Sequence, residues 1–290
     1  MATEAERQAL LARGITPERA RQLFQFAKPV NEIANYYLCG LYGDGKVGKT
    51  ILTARLAQKL GTKLYMISSG DNGSSSIEDW PQLIPYVQVA RYSDPKWLQD
   101  IATAIRYDSE EFEEYGVISI DTISGVADQY IDYIERAYNA TGKQGGRDAL
   151  TPKQGVKAPR LEMASNEDYK ALRQYMRPII MDLAASKKTV FLITHEREPY
   201  HLEVAQAKRT GEEEPKMRPD LPDKVYKALH YNCSILCRMT RNSTDRFIST
   251  RGSEKISVGS RIRELDNKRM TDNEFLEITA RWIRERSQRD

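Results

Sequence analysis

The chain is poor in cysteine and has no long apolar run, and each of these absences excludes a class of protein. Its 290 residues include three cysteines, an odd number that argues against a disulfide framework. No apolar run reaches the length of a membrane span. The first four residues, Met1 to Glu4, are polar and begin no apolar signal segment. We therefore expect a cytoplasmic location and no membrane partner.

The chain also lacks a strong charge of either sign and any internal repeat. Its formal net charge is +3, so the protein as a whole is not a generic polycation, and any nucleic-acid site must come from local clustering of charge. Hydrophobic residues make up 40% of the sequence, which is enough to build the core of one large α/β domain with appendages.

Glycine and lysine are concentrated in one stretch, residues 43–50, whose sequence is Gly-Asp-Gly-Lys-Val-Gly-Lys-Thr. It fits the pattern G-x-x-x-x-G-K-[ST] of a phosphate-binding loop. Gly43 and Gly48 allow the tight turn that points backbone N–H groups at phosphate oxygens. Lys49 supplies a charge for the β- and γ-phosphates, and Thr50 supplies a hydroxyl to Mg²⁺. The predicted nucleotide-binding residues are Gly43, Asp44, Gly45, Lys46, Val47, Gly48, Lys49, Thr50 and Ile51.

The neighbours of this loop match the context that such a loop requires. Residues 36–42 form an aromatic and apolar run that predicts a buried strand. Residues 51–60 carry apolar side chains at helical spacing, and Gly61 follows as a helix end. The predicted helix directs its positive N-terminal end at the bound phosphates. The loop is therefore expected to bind a nucleotide.

Strands and helices alternate through most of the chain, which predicts an α/β fold with a mostly parallel, doubly wound sheet. Strands are predicted at 36–42, 63–68, 86–91, 116–121 and 189–194, and helices at 48–60, 95–107, 123–139 and 166–187. Segments 233–240 and 245–251 predict an antiparallel edge hairpin. A C-terminal helix is predicted at 271–287. We divide the chain into a short helical N-terminal appendage (1–34), an ATPase core (35–265) and a C-terminal helical tail (266–290).

Three predicted strands end in polar residues that are candidates for the chemistry. Asp121 ends an apolar strand, where a carboxylate beside the loop can orient Mg²⁺. Asp71 is the best-placed carboxylate to activate water, although an Asp before Asn-Gly is equally typical of a plain turn. Thr194 or His195 can lie near the γ-phosphate, with a surface histidine as the alternative for His195. The catalytic candidates are Lys49, Asp71, Asp121 and His195, and the metal ligands are Thr50 and Asp121.

Two long connections, 140–165 and 196–223, are expected at the same sheet edge. In the first, five Lys and Arg residues outnumber two carboxylates. Loops of this length are usually functional or disordered, and a basic one suits contacts to a DNA backbone; a solvated insertion is the alternative. The DNA-binding candidates are Lys143, Arg147, Lys153, Lys157, Arg160, Lys208 and Arg209.

Three cations follow the predicted hairpin: Lys255, Arg261 and Arg263. They are candidates to act in trans, as fingers that reach the γ-phosphate of a neighbouring subunit. A solvated charged face is the alternative explanation.

Together these motifs resemble the RecA-like ATPase core, and more narrowly the phage nucleotide-binding proteins that serve as RecA-like single-strand annealing proteins. Lys46 stands three residues before Lys49, an apolar strand ends Asp-Thr at Asp121, and a later strand ends in His195. The resemblance covers about residues 36–265. It implies a RecA-like fold, ATP hydrolysis with Mg²⁺, and single-stranded DNA, further copies of the chain and a single-strand-binding protein as partners. A phage-encoded chain would work in the bacterial host cytoplasm.

Some positions depart from that family's pattern. Asp71 stands where RecA-like enzymes usually have glutamate. The finger appears as Arg261-Ile-Arg263, or as a displaced Lys255, rather than as Lys-x-Arg. Asp44 puts a negative charge into a loop for phosphate, so its side chain is expected to point outward.

Phe24 and Ala27 match the Phe-x-x-Ala tether by which eukaryotic and archaeal relatives of RecA polymerise. An amphipathic helix face explains the two residues equally well.

The leading hypothesis is an ATP- and Mg²⁺-dependent ATPase that binds single-stranded DNA in phage-type recombination or replication, by annealing or strand exchange. It would assemble as a ring or filament with ATP between subunits, and DNA would stimulate hydrolysis. A nucleotide-gated protein-interaction switch with weak hydrolysis is the alternative, and a small-molecule kinase is a third hypothesis.

Overall fold

The computed structural model describes residues 37–70, 75–107, 110–141, 166–198, 209, 217–243, 245–251, 262–265 and 268–287. Residues Tyr36–Glu285 form one compact unit. A second unit, Met1–Asn35 with Arg286–Asp290, lies almost entirely outside the described residues, as do the oligomerisation candidates Phe24 and Ala27.

Helices and strands alternate in the first two thirds of the compact unit. The elements are β1 (Leu38–Gly43), α1 (Lys49–Leu60), β2 (Lys63–Ser68), α2 (Ser75–Glu78), β3 (Val87–Arg91), α3 (Pro95–Arg106), β4 (Tyr115–Asp121), α4 (Ile123–Thr141), α5 (Asn166–Ala184) and β5 (Thr189–Arg197). The remaining elements are β6 (Arg218–Pro219), α6 (Asp223–Asn232), β7 (Ile235–Arg241), β8 (Arg246–Arg251), β9 (Arg269–Thr271) and α7 (Asp272–Ser287).

One sheet runs through the described residues in the strand order β3-β2-β4-β5-β1-β7-β8-β9. Neighbours from β3 to β7 are parallel, whereas β7, β8 and β9 pair antiparallel. The predicted fold class is confirmed: the sheet is mostly parallel, with an antiparallel hairpin at its edge and a C-terminal helix. Because parallel strands direct their carboxyl ends to one edge, the ends of β1, β4 and β5 meet there.

Two apolar layers cover the faces of the sheet. On one face, α1 and α7 pack on β1, and the largest of their buried side chains are Leu52, Leu56 and Phe275. On the other face, helices α3 to α6 pack on β4 and β5, with Leu98, Met176 and Leu229 in this layer. Burial on both faces explains why β1 and β4 are almost continuously apolar in sequence. All three cysteines, Cys39, Cys233 and Cys237, are free thiols.

The clearest differences from the predicted boundaries are at β5 and at the helix before it. The sequence placed the end of this strand at residue 194, but it continues to Arg197, because Glu196 and Arg197 pair antiparallel with Arg218–Pro219. The predicted loop 196–223 therefore contains strand residues at both ends. Helix α5 ends at Ala184 rather than at residue 187. Among the described residues, no helix combines the length and apolarity needed to cross a bilayer.

Candidate nucleotide-binding site

The phosphate-binding loop lies between the end of β1 and the start of α1. Gly48 precedes α1 in the left-handed conformation (φ 102°), which glycine adopts without strain. At the other end of the loop, a Cβ added to Gly43 would lie 2.2 Å from the carbonyl oxygen of Met239 on β7. The loop therefore needs one glycine for its backbone angle and the other for close strand packing. Asp44 is exposed, as expected, and its carboxylate accepts the Gly45 N–H at 2.7 Å.

Lys49 is held inside this loop by backbone carbonyls. Its Nζ donates to the carbonyl oxygens of Gly43 at 2.8 Å and of Asp44 at 2.7 Å, and the residue is only 7% exposed. Burial lowers the pKa of Lys49, and the nearby negative charges of Asp121, Asp44 and Glu196 oppose this shift. A buried ammonium that has only carbonyl oxygens as acceptors is well placed to exchange them for phosphate oxygens.

Thr50 and Asp121 bring two hard oxygen ligands together beside the loop. The Thr50 hydroxyl donates to Oδ2 of Asp121 at 2.5 Å, and Asp121 is 4% exposed at the end of β4. A hydroxyl and a carboxylate are the oxygen donors that Mg²⁺ prefers, so these residues fit the predicted metal. Their hydrogen bond holds the two oxygens side by side at the cavity.

His195 reaches the same cavity because of the strand order. Strand β5 lies between β4 and β1, and His195 is in register with Gly43, the first residue of the loop. Its side chain lines the cavity together with Lys49 and Asp121. Thr194 is buried, and its hydroxyl donates to the carbonyl oxygens of His195 and Asp220 at 3.1 and 3.4 Å. Of the two sensor candidates, His195 is therefore the one at the cavity.

Asp71 lies outside the described residues, but Ser69, two residues earlier, is tied to the end of β4. The Ser69 N–H donates to the Asp121 carbonyl at 2.9 Å, and its Oγ accepts the Thr122 N–H at 3.0 Å. The Ser69 carbonyl also accepts from Gln129 on α4. The chain therefore leaves β2 directly beside the proposed metal ligand Asp121.

The cavity has a volume of about 720 Å³ and is lined by several residues that sequence reasoning missed: Ser75, Ser76, Asp79, Trp80, Thr122 and Arg246. The guanidinium carbon of Arg246 lies 5.8 Å from the Trp80 ring centroid. Trp80 comes from the connection between β2 and β3, and Arg246 comes from the edge hairpin, so neither belongs to a local motif. The sequence feature that could have pointed to this pair is Trp80 itself, a single tryptophan in a polar stretch.

The other predicted site residues stay predictions. Arg209 is described and exposed, and Arg263 is described only in its backbone. Lys143, Arg147, Lys153, Lys157, Arg160, Lys208, Lys255 and Arg261 lie outside the described residues.

Comparisons with known proteins give three findings. A family model described as an AAA domain matches residues 35–268. The search of curated proteins found no match. Among solved structures, the crystal structure of the RadB recombinase is similar, with 13% sequence identity and a TM-score of 0.46; the similarity covers 82% of this chain and 87% of that chain.

Proposed function

The chain belongs to the AAA domain family, and from this premise we propose that this P-loop ATPase uses ATP and Mg²⁺ to act on single-stranded DNA in phage-type recombination or replication. In this proposal, subunits assemble head to tail as a ring or filament, with ATP between neighbours. The observation that carries the ATPase activity is the convergence of Lys49, Thr50, Asp121 and His195 on one cavity.

Each of these residues has a definable role toward ATP. The Lys49 ammonium binds the β- and γ-phosphates, in exchange for the carbonyls of Gly43 and Asp44. Thr50 and Asp121 hold Mg²⁺, which neutralises charge that develops on the transferred phosphoryl group. His195 donates a hydrogen bond toward the γ-phosphate and thereby distinguishes ATP from ADP.

Trp80 gives the cavity an aromatic face for the base. Its indole borders the same cavity as the phosphate loop, and an aromatic stack on a purine contributes about 1–3 kcal/mol by analogy with nucleic-acid bases. Stacking is tolerant of base identity, so this contact supports nucleotide binding without selecting ATP over GTP.

The DNA role is supported by how the chain connects the site to its basic segment. Helix α4 begins at Ile123, two residues after Asp121, and residues 142–165 follow it in sequence. This segment carries the candidates Lys143, Arg147, Lys153, Lys157 and Arg160. A shift at the nucleotide site therefore has a continuous route, through the 19 residues of α4, to a basic segment of the kind that binds DNA backbones.

Assembly would complete the site from a neighbouring subunit. The cations Lys255, Arg261 and Arg263 remain the proposed trans fingers, and Phe24 with Ala27 remains the proposed tether. In an assembly of this kind, dilution below the dissociation constant of the subunit interface lowers the ATPase rate per subunit.

The decisive experiment measures ATP hydrolysis with and without single-stranded DNA at low salt, together with a band-shift assay and imaging of particles with an ATP analogue. We expect DNA to raise the rate, and a Lys153→Gln/Lys157→Gln double variant to lower this stimulation while leaving the basal rate unchanged. Lys49→Ala, which removes the ammonium proposed to bind phosphate, is the control variant that should lose nucleotide binding. An ATPase rate indifferent to DNA, with no band shift, would refute the DNA role.

A nucleotide-gated interaction switch is the second candidate, and the aspartate at position 71 favours it. The aspartate side chain is one methylene shorter than the glutamate usual in RecA-like enzymes, and this shorter reach is expected to slow hydrolysis without weakening binding. Comparing single-turnover hydrolysis of the unmodified protein with Asp71→Glu and Asp71→Asn tests it. Rapid hydrolysis that Asp71→Asn abolishes would exclude a switch without turnover.

A further inference from the structure

Arg246 lies against the phosphate-binding loop of its own chain. It is the first residue of β8, and its side chain lines the nucleotide cavity. A Cβ added to Gly48 would lie 2.9 Å from Nε and 3.0 Å from Cζ of Arg246, so the guanidinium touches the last glycine of the loop. The finger cations predicted from the sequence follow the hairpin and would act on a neighbouring subunit. Arg246 lies within the hairpin and contacts the loop of its own chain.

The charge of Arg246 is only partly matched by protein groups. Its Nη1 lies 3.9 Å from Oδ2 of Asp272, the first residue of α7. The same oxygen accepts a much closer hydrogen bond from Arg55 on α1, at 2.7 Å. One carboxylate thus faces two guanidinium groups, and Arg246 has the weaker contact, although its side chain is only 21% exposed.

A largely buried cation with a distant counter-ion favours an anionic ligand, because desolvation strengthens every new charge interaction. The cavity beside Arg246 is the one that contains Lys49 and the loop amides. The guanidinium also makes a cation–π contact with Trp80, whose ring centroid lies 5.8 Å from Cζ and which lines the same cavity.

We propose that Arg246 is a cis-acting phosphate-binding residue, whose guanidinium binds the phosphate chain of the nucleotide in place of its long contact with Asp272. The inference rests on the proposed nucleotide function of the site and adds a specific residue to it. Phosphate is the favoured partner rather than the base, because the guanidinium touches Gly48 and because a fork of N–H donors matches phosphate oxygens.

The test is isothermal titration calorimetry with a slowly hydrolysed ATP analogue and, separately, with tripolyphosphate. We expect Arg246→Gln to weaken binding of both probes about tenfold or more, the size of one charge-assisted contact. Arg241→Gln is the matched control, because Arg241 pairs with Arg246 across the hairpin but is exposed and does not line the cavity. It should change neither affinity by more than about twofold.

Further variants separate the possible explanations. Arg246→Lys keeps the charge but loses the fork of N–H donors, so it should weaken binding less than Arg246→Gln does, and it also serves if the Gln variant does not fold. Asp272→Asn removes the competing carboxylate and should leave affinity unchanged or higher. Equal losses in Arg246→Gln and Asp272→Asn would overturn the proposal in favour of a purely structural role.

Two outcomes distinguish this inference from the proposed function itself. If Arg246→Gln binds both probes like the unmodified protein while Lys49→Ala does not bind, the nucleotide site stands and the role of Arg246 is refuted. A loss with the ATP analogue but not with tripolyphosphate would also refute it, because the contact would then be to the nucleoside. Absence of binding by the unmodified protein would overturn both proposals.

Discussion

The loop geometry makes a sharp prediction at Gly43. This residue ends β1, which pairs with β5 on one side and with β7 on the other. A methyl group at Gly43 would lie 2.2 Å from the Met239 carbonyl oxygen, whereas ordinary contacts begin at 3.4 Å. The two strands would have to separate by about an ångström, and the obstacle is backbone rather than a flexible side chain. Gly43→Ala should therefore disturb both the sheet and the loop.

The expected loss of stability in Gly43→Ala can be derived from the cost of overfilling a packed core. Adding a methyl group to a filled core costs about 1–3 kcal/mol, and a backbone obstacle puts Gly43→Ala near 3 kcal/mol. Gly45 is the matched control, because a Cβ there would meet nothing within 4 Å. Gly45→Ala loses the same unfolded-state freedom and should be neutral or stabilising by up to about 1 kcal/mol.

Urea unfolding followed by circular dichroism measures the difference between the two variants, and the slope of the transition shows whether the unfolded state has changed. Gly43→Ala should also lose the shift of its unfolding midpoint on addition of ATP, whereas Gly45→Ala should keep it. Free energies of unfolding that agree within about 1 kcal/mol for the two variants would refute the argument.

Three further predictions concern the site and the sheet. Thr50→Val should reduce Mg²⁺-dependent hydrolysis at least about tenfold, while Thr50→Ser retains it, because only the hydroxyl reaches Asp121; a metal titration of the ATPase rate checks this. His195→Ala should lower the hydrolysis rate about 100-fold and weaken binding of ATP more than binding of ADP, and equal changes in the two dissociation constants would contradict a sensor role. Burial raises the pKa of Tyr115 from 10.0 to about 12, and the hydrogen bond and negative charge of Glu114 add to this shift. The unfolded chain therefore loses the phenol proton at lower pH than the folded chain does, and stability falls as pH rises from 10.0 to about 12. Tyr115→Phe should therefore lose less stability than the unmodified protein between pH 9 and 11 in urea titrations, and identical losses would exclude this contribution.

The sequence predicts those parts of the site whose residues are neighbours in the chain. The glycines, lysine and threonine of the phosphate loop lie within eight positions, and the strand before the loop and the helix after it are visible as periodicity. Asp121 could be located because a buried apolar strand that ends in a carboxylate is a local pattern as well.

The rest of the site depends on tertiary structure. Trp80 and Arg246 are 166 positions apart in sequence and meet only because the connection after β2 and the start of β8 converge on the loop. Parallel strands also carry no signal of their order, so the position of β5 between β4 and β1 could not be predicted. This order is what brings His195 level with Gly43.

Helix α1 presents Lys49 and Thr50 to the cavity, so whatever holds α1 also positions the chemistry. On one flank it is held by α7, through the pairs Arg55–Asp272 and Lys59–Glu277 and through Arg284, which donates to the Lys59 carbonyl. Partly exposed ion pairs of this kind contribute at most about 1 kcal/mol each.

The apolar face of α7 contributes more. Phe275 and Leu276 are almost fully buried in the layer that contains α1, and burying side chains of this size is worth about 1.5–3 kcal/mol each. Trp282 adds a ring contact with Tyr37 at 5.8 Å. Apolar packing therefore fixes α7 against α1, and the ion pairs set the register in which Asp272 meets both Arg55 and Arg246.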